Sequence, residues 1–337
     1  MKQLLMSAGA ASLLLLTACQ SKKKADVILE ENPQYETATI KPFTDALRKN
    51  PQDPAMWTRR ADALNKADLD SLALKDYVQA LKLDSSQANS WSNIGNLLFE
   101  NKDVSGSLPY FEGALRINPK DQQSQLKMAR VMIFIKDYAK AFLAINTALR
   151  QNVYLSEAYF LKGVIYKDLK DTTKSISSFQ TAVQIDPDNA EALLQLGFWY
   201  EAKNDPTAVM YYQNAYQADT TNLQPLYAKG MFYQNKEKYE DAKNVYRDII
   251  GHRKDFPLAH YNLGWIYLQQ DSLEKAFQSF DLVTQLAPGY AEAVYNRGLC
   301  NELMGKKMDA ISDYEHALAI APDMTNAETA LKRLGKK

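Results

Sequence analysis

The sequence predicts an all-α fold, a right-handed α-solenoid of about eight helical hairpins with a capping helix at each end. Three observations carry that prediction. A set of small, aromatic and proline positions recurs about every 34 residues, the signature of one supersecondary unit stacked repeatedly on itself. Within most periods bulky residues stand four before and three after a small residue, the spacing of a single helical face. The hydrophobic fraction is 46% over 337 residues, which suits a folded chain and not a disordered one.

Residues 1–18 stand apart from the repeat. Met1-Lys2 precedes an apolar stretch from Leu4 to Leu16, followed by Leu16-Thr17-Ala18-Cys19. The stretch is too short for a comfortable membrane span and reads as an export signal peptide. Small residues before a cysteine resemble a bacterial lipobox, and the resemblance implies a lipoprotein in which Cys19 becomes the lipidated first residue. An ordinary signal peptide with an incidental cysteine is the alternative. Residues 19–36 begin Gln20-Ser21-Lys22-Lys23-Lys24 and show no period, so they read as a lipidated tether with a reach on the order of 60 Å. Gln20, where many inner-membrane lipoproteins carry Asp, implies by resemblance a lipid anchor in the outer membrane, facing the periplasm of a Gram-negative bacterium. The other cysteine is Cys300. With Cys19 acylated, no intramolecular disulfide is available, and Cys300 on an apolar helix face reads as a small buried hydrophobe.

A half-repeat helix occupies residues 37–53, where Phe43, Ala46 and Pro51 match the second-helix pattern of the repeats. It would cap the first hairpin. Eight hairpins then fill residues 54–324. In their first helices the small column runs Ala61, Gly95, Ala129, Gly163, Gly197, Gly230, Gly264 and Gly298, spaced by 34 except for one interval of 33. In the second helices it runs Ala73, Ser107, Ala141, Ser175, Ala208, Ala242, Ala276 and Ala310. A bulky residue follows each four later, from Tyr77 and Phe111 to Phe280 and Tyr314. Proline at Pro119, Pro187, Pro288 and Pro322 blocks continuation of the second helix. Residues 325–337, with Ala327, Ala330, Leu331 and Leu334 among charges, suit a final helix covering the end of the stack.

Departures are local. The third repeat has Gln125 and Val153 where aromatic and proline signals are expected, the fifth is one residue short near Pro206, and the sixth ends at Ile250-Gly251 without proline. Pro109 is read as near enough to the start of its helix to be tolerated.

Residues 88–121 and 156–189 show the pattern plainly and resemble the tetratricopeptide repeat. That resemblance covers nearly all of the chain after the tether. It implies a protein-protein interaction scaffold whose concave face, built by first-helix residues, binds partner segments. Near the start those positions are polar, with Asp62, Asn65, Asn96 and Arg130, whereas from the fourth hairpin they become Phe160, Val164, Phe198, Tyr227, Met231, Tyr261, Trp265, Tyr295 and Leu299. The partner-binding expectation rests on Phe160, Phe198, Tyr227, Met231, Tyr261, Trp265, Tyr295 and Leu299. For the tyrosines, packing between adjacent repeats accounts equally well for the pattern. Thr58, Asp62 and Ser92 stand where some relatives carry a lysine and asparagine set that clamps a terminal carboxylate, so a chaperone-tail receptor is not expected.

Nothing in the sequence supplies catalysis. His252, His260 and His316 have no Cys or His at ligand spacing, so no metal site is expected. There is no Gly-rich phosphate loop, and no cofactor, nucleic acid or small-molecule substrate is expected. Forty Lys plus Arg balance forty Asp plus Glu, so no global field attracts polyanions. The expectation is a non-catalytic, lipid-anchored scaffold or adaptor of the cell envelope that meets the membrane through its lipid and binds unidentified protein partners. The alternative is a subunit, pilotin-like or hydrolase-adaptor-like, of an envelope enzyme or of a secretion, pilus or outer-membrane assembly complex.

Overall fold

The computed structural model describes residues 31–336. The expected signal peptide, Cys19 and most of the expected tether lie outside the described residues. Among those residues there are eighteen α-helices, one short 3-10 turn and no strand, and the fold is an α-solenoid of helical hairpins. The chain divides after Pro119 into two compact units.

The first unit starts with the 3-10 turn Pro33–Glu36 and α1 (Lys41–Lys49). Hairpin one pairs α2 (Pro54–Asn65) with α3 (Asp70–Leu83), and hairpin two pairs α4 (Ala88–Glu100) with α5 (Val104–Ile117). The turn belongs to the folded body, because the Tyr35 ring is buried and lies 4.0 Å from the Arg60 guanidinium. The expectation of a tether running to residue 36 is corrected at its end, since residues 33–36 belong to the folded body. A lone aromatic in an aperiodic polar segment gave no signal of this.

The second unit holds six hairpins: α6 (Gln122–Phe134) with α7 (Tyr138–Gln151), α8 (Ser156–Asp168) with α9 (Thr172–Ile185), and α10 (Ala190–Ala202) with α11 (Thr207–Ala218). Then come α12 (Gln224–Asn235) with α13 (Tyr239–His252), α14 (Pro257–Gln269) with α15 (Leu273–Leu286), and α16 (Ala291–Leu303) with α17 (Lys307–Ile320). The last helix, α18 (Thr325–Arg333), covers the eighth hairpin through Ala327 and Ala330, packed with Val294 and Tyr314.

Small residues let the two helices of a hairpin meet. A Cβ added at Gly163 would lie 2.5 Å from the Phe179 ring, and one at Gly197 would lie 2.5 Å from the Tyr212 ring. The ring fills the space that glycine leaves, so the small and aromatic columns are two sides of one contact. Neighbouring hairpins share cores in turn. Leu226, Tyr246 and Ile249 of the sixth pack with Leu263 and Ile266 of the seventh, and Phe280 of the seventh packs with Cys300 of the eighth. Burial at that site pushes the Cys300 thiol up to about 12.

Every hairpin turn closes on a left-handed residue in the same register. These are Asp68, Lys102, Lys136, Lys170, Asn204, Glu237 and Asp271, with glycine only in the last hairpin at Gly305. The next residue donates back to the carbonyl five positions before, as Asp103 does to Leu98 at 2.8 Å and Asp171 to Tyr166 at 2.9 Å. This is the Schellman stop of an α-helix. Asp103, Asp137 and Asp171 then accept amide hydrogens at the start of the following helix.

Pro109 corrects one expectation. It is the sixth residue of α5, beyond the first turn, and the helix continues through it. Pro109 and Ser105 are both exposed, so the carbonyl that loses its partner lies on the solvent side, where water replaces it.

Candidate interaction groove

The residues proposed to face a partner lie on the first helices of hairpins four to eight. The structure distributes them unevenly. Phe160 is buried at 7% exposure, with its ring centroid 5.8 Å from that of Phe179 and the Arg130 guanidinium 5.9 Å away. Its place is inside the hairpin contact and it offers no free ring, which corrects the expectation for that position. Phe198 is half-buried, edge-on to Tyr212 at 5.6 Å. It also opens onto a cleft of 180 Å³ with Phe179, Ile176, Gln195 and Trp199. Trp265 is half-buried and meets Tyr239 edge-on at 6.2 Å. Tyr295 lies 5.4 Å from Tyr314, and Leu299 is half-buried beside it in α16.

The tyrosines of hairpins six and seven join neighbouring repeats. Asn262 donates from Nδ2 to the Tyr227 hydroxyl at 3.1 Å, to the Tyr246 hydroxyl at 3.2 Å and to Met231 Sδ at 3.3 Å. One repeat later Asn296 donates to the Tyr261 hydroxyl at 3.0 Å. Tyr227 and Tyr261 therefore serve packing between repeats, while their rings remain half-exposed. Tyr261 stacks on Tyr290 at 4.9 Å with 26° between the planes, and Tyr227 lies 5.9 Å from Phe256. Burial, with Tyr261 and Glu292 nearby, pushes the Tyr290 hydroxyl up to about 12. At neutral pH it is a neutral donor.

Upstream, the second unit carries a polar strap. Arg130 on α6 donates from Nε to Glu157 on α8 at 2.7 Å and from Nη2 to Glu191 on α10 at 3.3 Å, spanning three hairpins. In the first unit Asp62 accepts from the Tyr77 hydroxyl at 2.6 Å and from Asn93 Nδ2 at 3.0 Å. Asp62 and Arg130 are thus held by partners within the chain and are not idle partner contacts.

Sequence reasoning missed Trp199, Phe256, Tyr290 and the two asparagines. The register could have found them. Asn93, Asn262 and Asn296 each stand two residues before the small position of their repeat. Phe256 and Tyr290 fall where Asp53, Asp121 and Asn189 cap their helices, and they supply no capping side chain themselves.

Models of the tetratricopeptide repeat match residues 71–122 and 227–291, residues 156–189, and residues 263–335. The chain carries tetratricopeptide repeats. A human protein, the intraflagellar transport protein 88 homolog, is 27% identical over 99 residues, which is 27% of this chain and 12% of that one. The chain thus spans a small part of that relative's length. Among solved structures, the C-terminal part of a TPR repeat-containing protein from Cytophaga hutchinsonii is similar with a TM-score of 0.57 and 17% identity. That alignment covers 71% of this chain and 99% of the other. PilW, described as a widely conserved type IV pilus biogenesis factor, aligns with a TM-score of 0.50 and 22% identity over 62% of this chain and 98% of its own. Both likenesses concern the fold of these tetratricopeptide repeats. Among the described residues no three His, Cys, Asp or Glu side chains are grouped to hold a metal ion, and no helix is long and apolar enough to cross a membrane.

Proposed function

We propose that this tetratricopeptide-repeat chain is a non-catalytic scaffold that holds an extended or helical segment of a partner protein along the first-helix face of hairpins four to eight. A lipid on Cys19 would tether it to the outer membrane of a Gram-negative bacterium, facing the periplasm. The observation that carries the reading is the run of half-exposed aromatic and sulfur side chains, Phe198, Tyr227, Met231, Tyr261, Trp265 and Tyr295, on successive first helices. Stability alone would be served by deeper burial, and rigid aromatic rings with a free edge are the side chains that dominate protein recognition. Photo-crosslinking in cells tests the surface. A benzoylphenylalanine introduced at Leu299 or Met231 should give partner adducts, and one at the exposed Leu143 of α7 should not. Adducts from Leu143 alone would sink the assignment.

A further inference from the structure

We propose that the groove of hairpins six to eight takes a basic side chain, Lys or Arg, from an extended partner segment, and seats it against the Tyr261–Tyr290 pair beside Glu292. The proposal rests on the reading of this face as a protein-binding groove.

Local rules are broken here in a consistent way. Tyr290 occupies the position that starts α16, where a capping side chain would stabilise the helix by about 1 kcal/mol, and it makes no capping bond. Phe256 does the same at the start of α14. Gln87, Leu155 and Leu223 also leave their helices uncapped, but they carry no ring, whereas Phe256 and Tyr290 lean on the groove tyrosines Tyr227 and Tyr261. A capping site given up for a half-exposed ring in a groove is a local sacrifice of the kind that accompanies function.

The hydrogen bonding has a direction. Asn262 and Asn296 donate to the Tyr227 and Tyr261 hydroxyls, so each phenol oxygen already accepts and its own hydrogen is left to donate. Among the described residues neither hydroxyl has an acceptor for it. Two O–H donors one repeat apart suit the carbonyl oxygens of an extended peptide. The charge complement is Glu292, exposed in the first turn of α16 and engaged in no ion pair or hydrogen bond among the described residues. A carboxylate next to stacked aromatic faces attracts a cation both by charge and by the ring quadrupole. The chain shows the same chemistry one ring away, where the Arg253 guanidinium lies 4.4 Å from the Phe256 ring. Arg253 takes Phe256, which leaves the Tyr261–Tyr290 pair for the partner.

The test is selection from a random nonapeptide display library on the purified full chain, followed by affinity measurements on the enriched peptides by fluorescence anisotropy. The expected result is enrichment of Lys or Arg at one peptide position. Glu292→Gln should weaken such a peptide by about two- to fivefold, replacing its basic residue by Gln should weaken it by at least as much, and the two losses should not multiply when combined. Tyr290→Ala should act in the same direction. Glu292 is exposed, so its variant keeps the test sound if Tyr290→Ala perturbs the fold. Enriched peptides without a basic residue that still lose affinity on Phe198→Ala would overturn this inference and leave the groove reading standing. Equal weakening of the basic peptide and its Gln counterpart by Glu292→Gln would do the same. No enriched peptide, or peptides indifferent to every groove substitution, would overturn both.

Discussion

The Arg60 guanidinium holds both oxygens of Asp76, from Nε at 2.6 Å and from Nη2 at 2.9 Å, with both side chains almost fully buried. Tyr35 and Trp57 lie against the guanidinium at 4.0 and 4.8 Å, so the pair is sealed by the 3-10 turn on one side and by α2 itself on the other. The same register recurs in the last hairpin, where Arg297 pairs with Asp313 at 2.6 Å and with Asp281 at 2.7 Å. The corresponding first-helix positions between them are Ile94, Met128, Lys162, Leu196, Lys229 and Leu263. Hairpins at the two ends of the array thus carry an arginine clamp that the inner ones lack.

Asp76→Ala leaves a buried guanidinium without its counter-charge, and such breaks cost about 3–5 kcal/mol. Urea denaturation followed by circular dichroism should show a loss of that size. Replacing the pair together, as Arg60→Met with Asp76→Leu, should cost much less, because no orphaned charge remains. A loss under about 1 kcal/mol for Asp76→Ala would mean that the clamp carries no stability.

The left-handed turn residues make a second prediction. Lys136 and Lys170 adopt φ of 62° and 61°, a conformation that costs a side-chain-bearing residue roughly 1–2 kcal/mol and glycine little. Glycine also raises the entropy of the unfolded chain, which offsets part of the gain. Lys136→Gly and Lys170→Gly should each raise stability by about 0.5–1 kcal/mol, read as a higher denaturation midpoint. Destabilisation by both would indicate that the lysine side chains hold contacts worth more than the backbone strain.

How much of this was legible in the sequence depends on the range of each contact. The hairpins were legible because Gly197 against Tyr212 is a local contact that dictates residue size at a fixed interval. A finer rule was also available. Tyr212 donates to Glu201, Tyr246 to Gln234 and Tyr314 to Glu302, while Phe179 and Phe280 face a repeat whose matching residue is Lys167 or Leu268. Hydroxyl and acceptor therefore go together in these three hairpins, whereas Tyr77 turns to Asp62 instead. The turn residues were hidden because Asp, Lys, Asn and Glu share no obvious preference for a positive φ beyond that of Asn and Asp. Phe160 was misplaced because its column holds both buried and half-exposed residues, and only the Arg130 strap and Phe179 decide which it is. Tyr35 was missed because its partner, Arg60, lies in another element.

The proposed lipidation of Cys19 has a direct test. Each buried methylene contributes about 0.8 kcal/mol, so one acyl chain binds marginally and two or three bind firmly. Cys19→Ser should release the protein into the soluble fraction or leave it unprocessed, whereas the unaltered chain should stay with membranes through a high-salt wash. Elution of the unaltered chain by salt would refute the lipid anchor.

The C-terminal cap should respond to acid. Arg333 on α18 donates to both oxygens of Glu302 at 2.7 Å, and Tyr314 donates to the same carboxylate at 2.6 Å. The Arg333 hydrogen bonds hold the Glu302 carboxyl below its ordinary value of 4.5, against the opposing effect of burial. A carboxylate whose pKa is lowered by folding stabilises the folded state fully above its unfolded value, and that contribution is lost as pH falls through the lowered value. Amide exchange in α18, corrected for intrinsic rates, should therefore quicken below about pH 4.5 before the middle hairpins open. Glu302→Gln should abolish the difference between acid and neutral pH. An α18 that opens together with hairpins four to six at every pH would show that the cap is no separate unit.

The groove makes the last prediction. Phe198 and Trp265 sit on α10 and α14 with separate surroundings, Phe198 over the cleft shared with Trp199 and Trp265 edge-on to Tyr239. Each is half-buried, so part of the ring supports the fold and part is free. Full burial of a large apolar side chain is worth about 1.5–3 kcal/mol, and a half-exposed ring has roughly half of that left to gain from a partner. Removing both, as Phe198→Ala with Trp265→Ala, should weaken a groove-bound segment by about ten- to a hundredfold if binding is centred there. The suitable control is Asn96→Ala, because among the described residues the Asn96 side chain bonds only the exposed Glu100 of its own helix. Asp62 and Arg130 would be poor controls, since the structure commits the first to Tyr77 and Asn93 and the second to Glu157 and Glu191. Truncating Trp265 also removes packing between hairpins six and seven, where large-to-small changes cost 3–5 kcal/mol when the ring is fully buried and less here. Circular dichroism and the denaturation midpoint must therefore separate lost binding from lost structure. A folded double variant that keeps full affinity, beside an Asn96 variant that loses it, would move the binding surface out of hairpins four to eight.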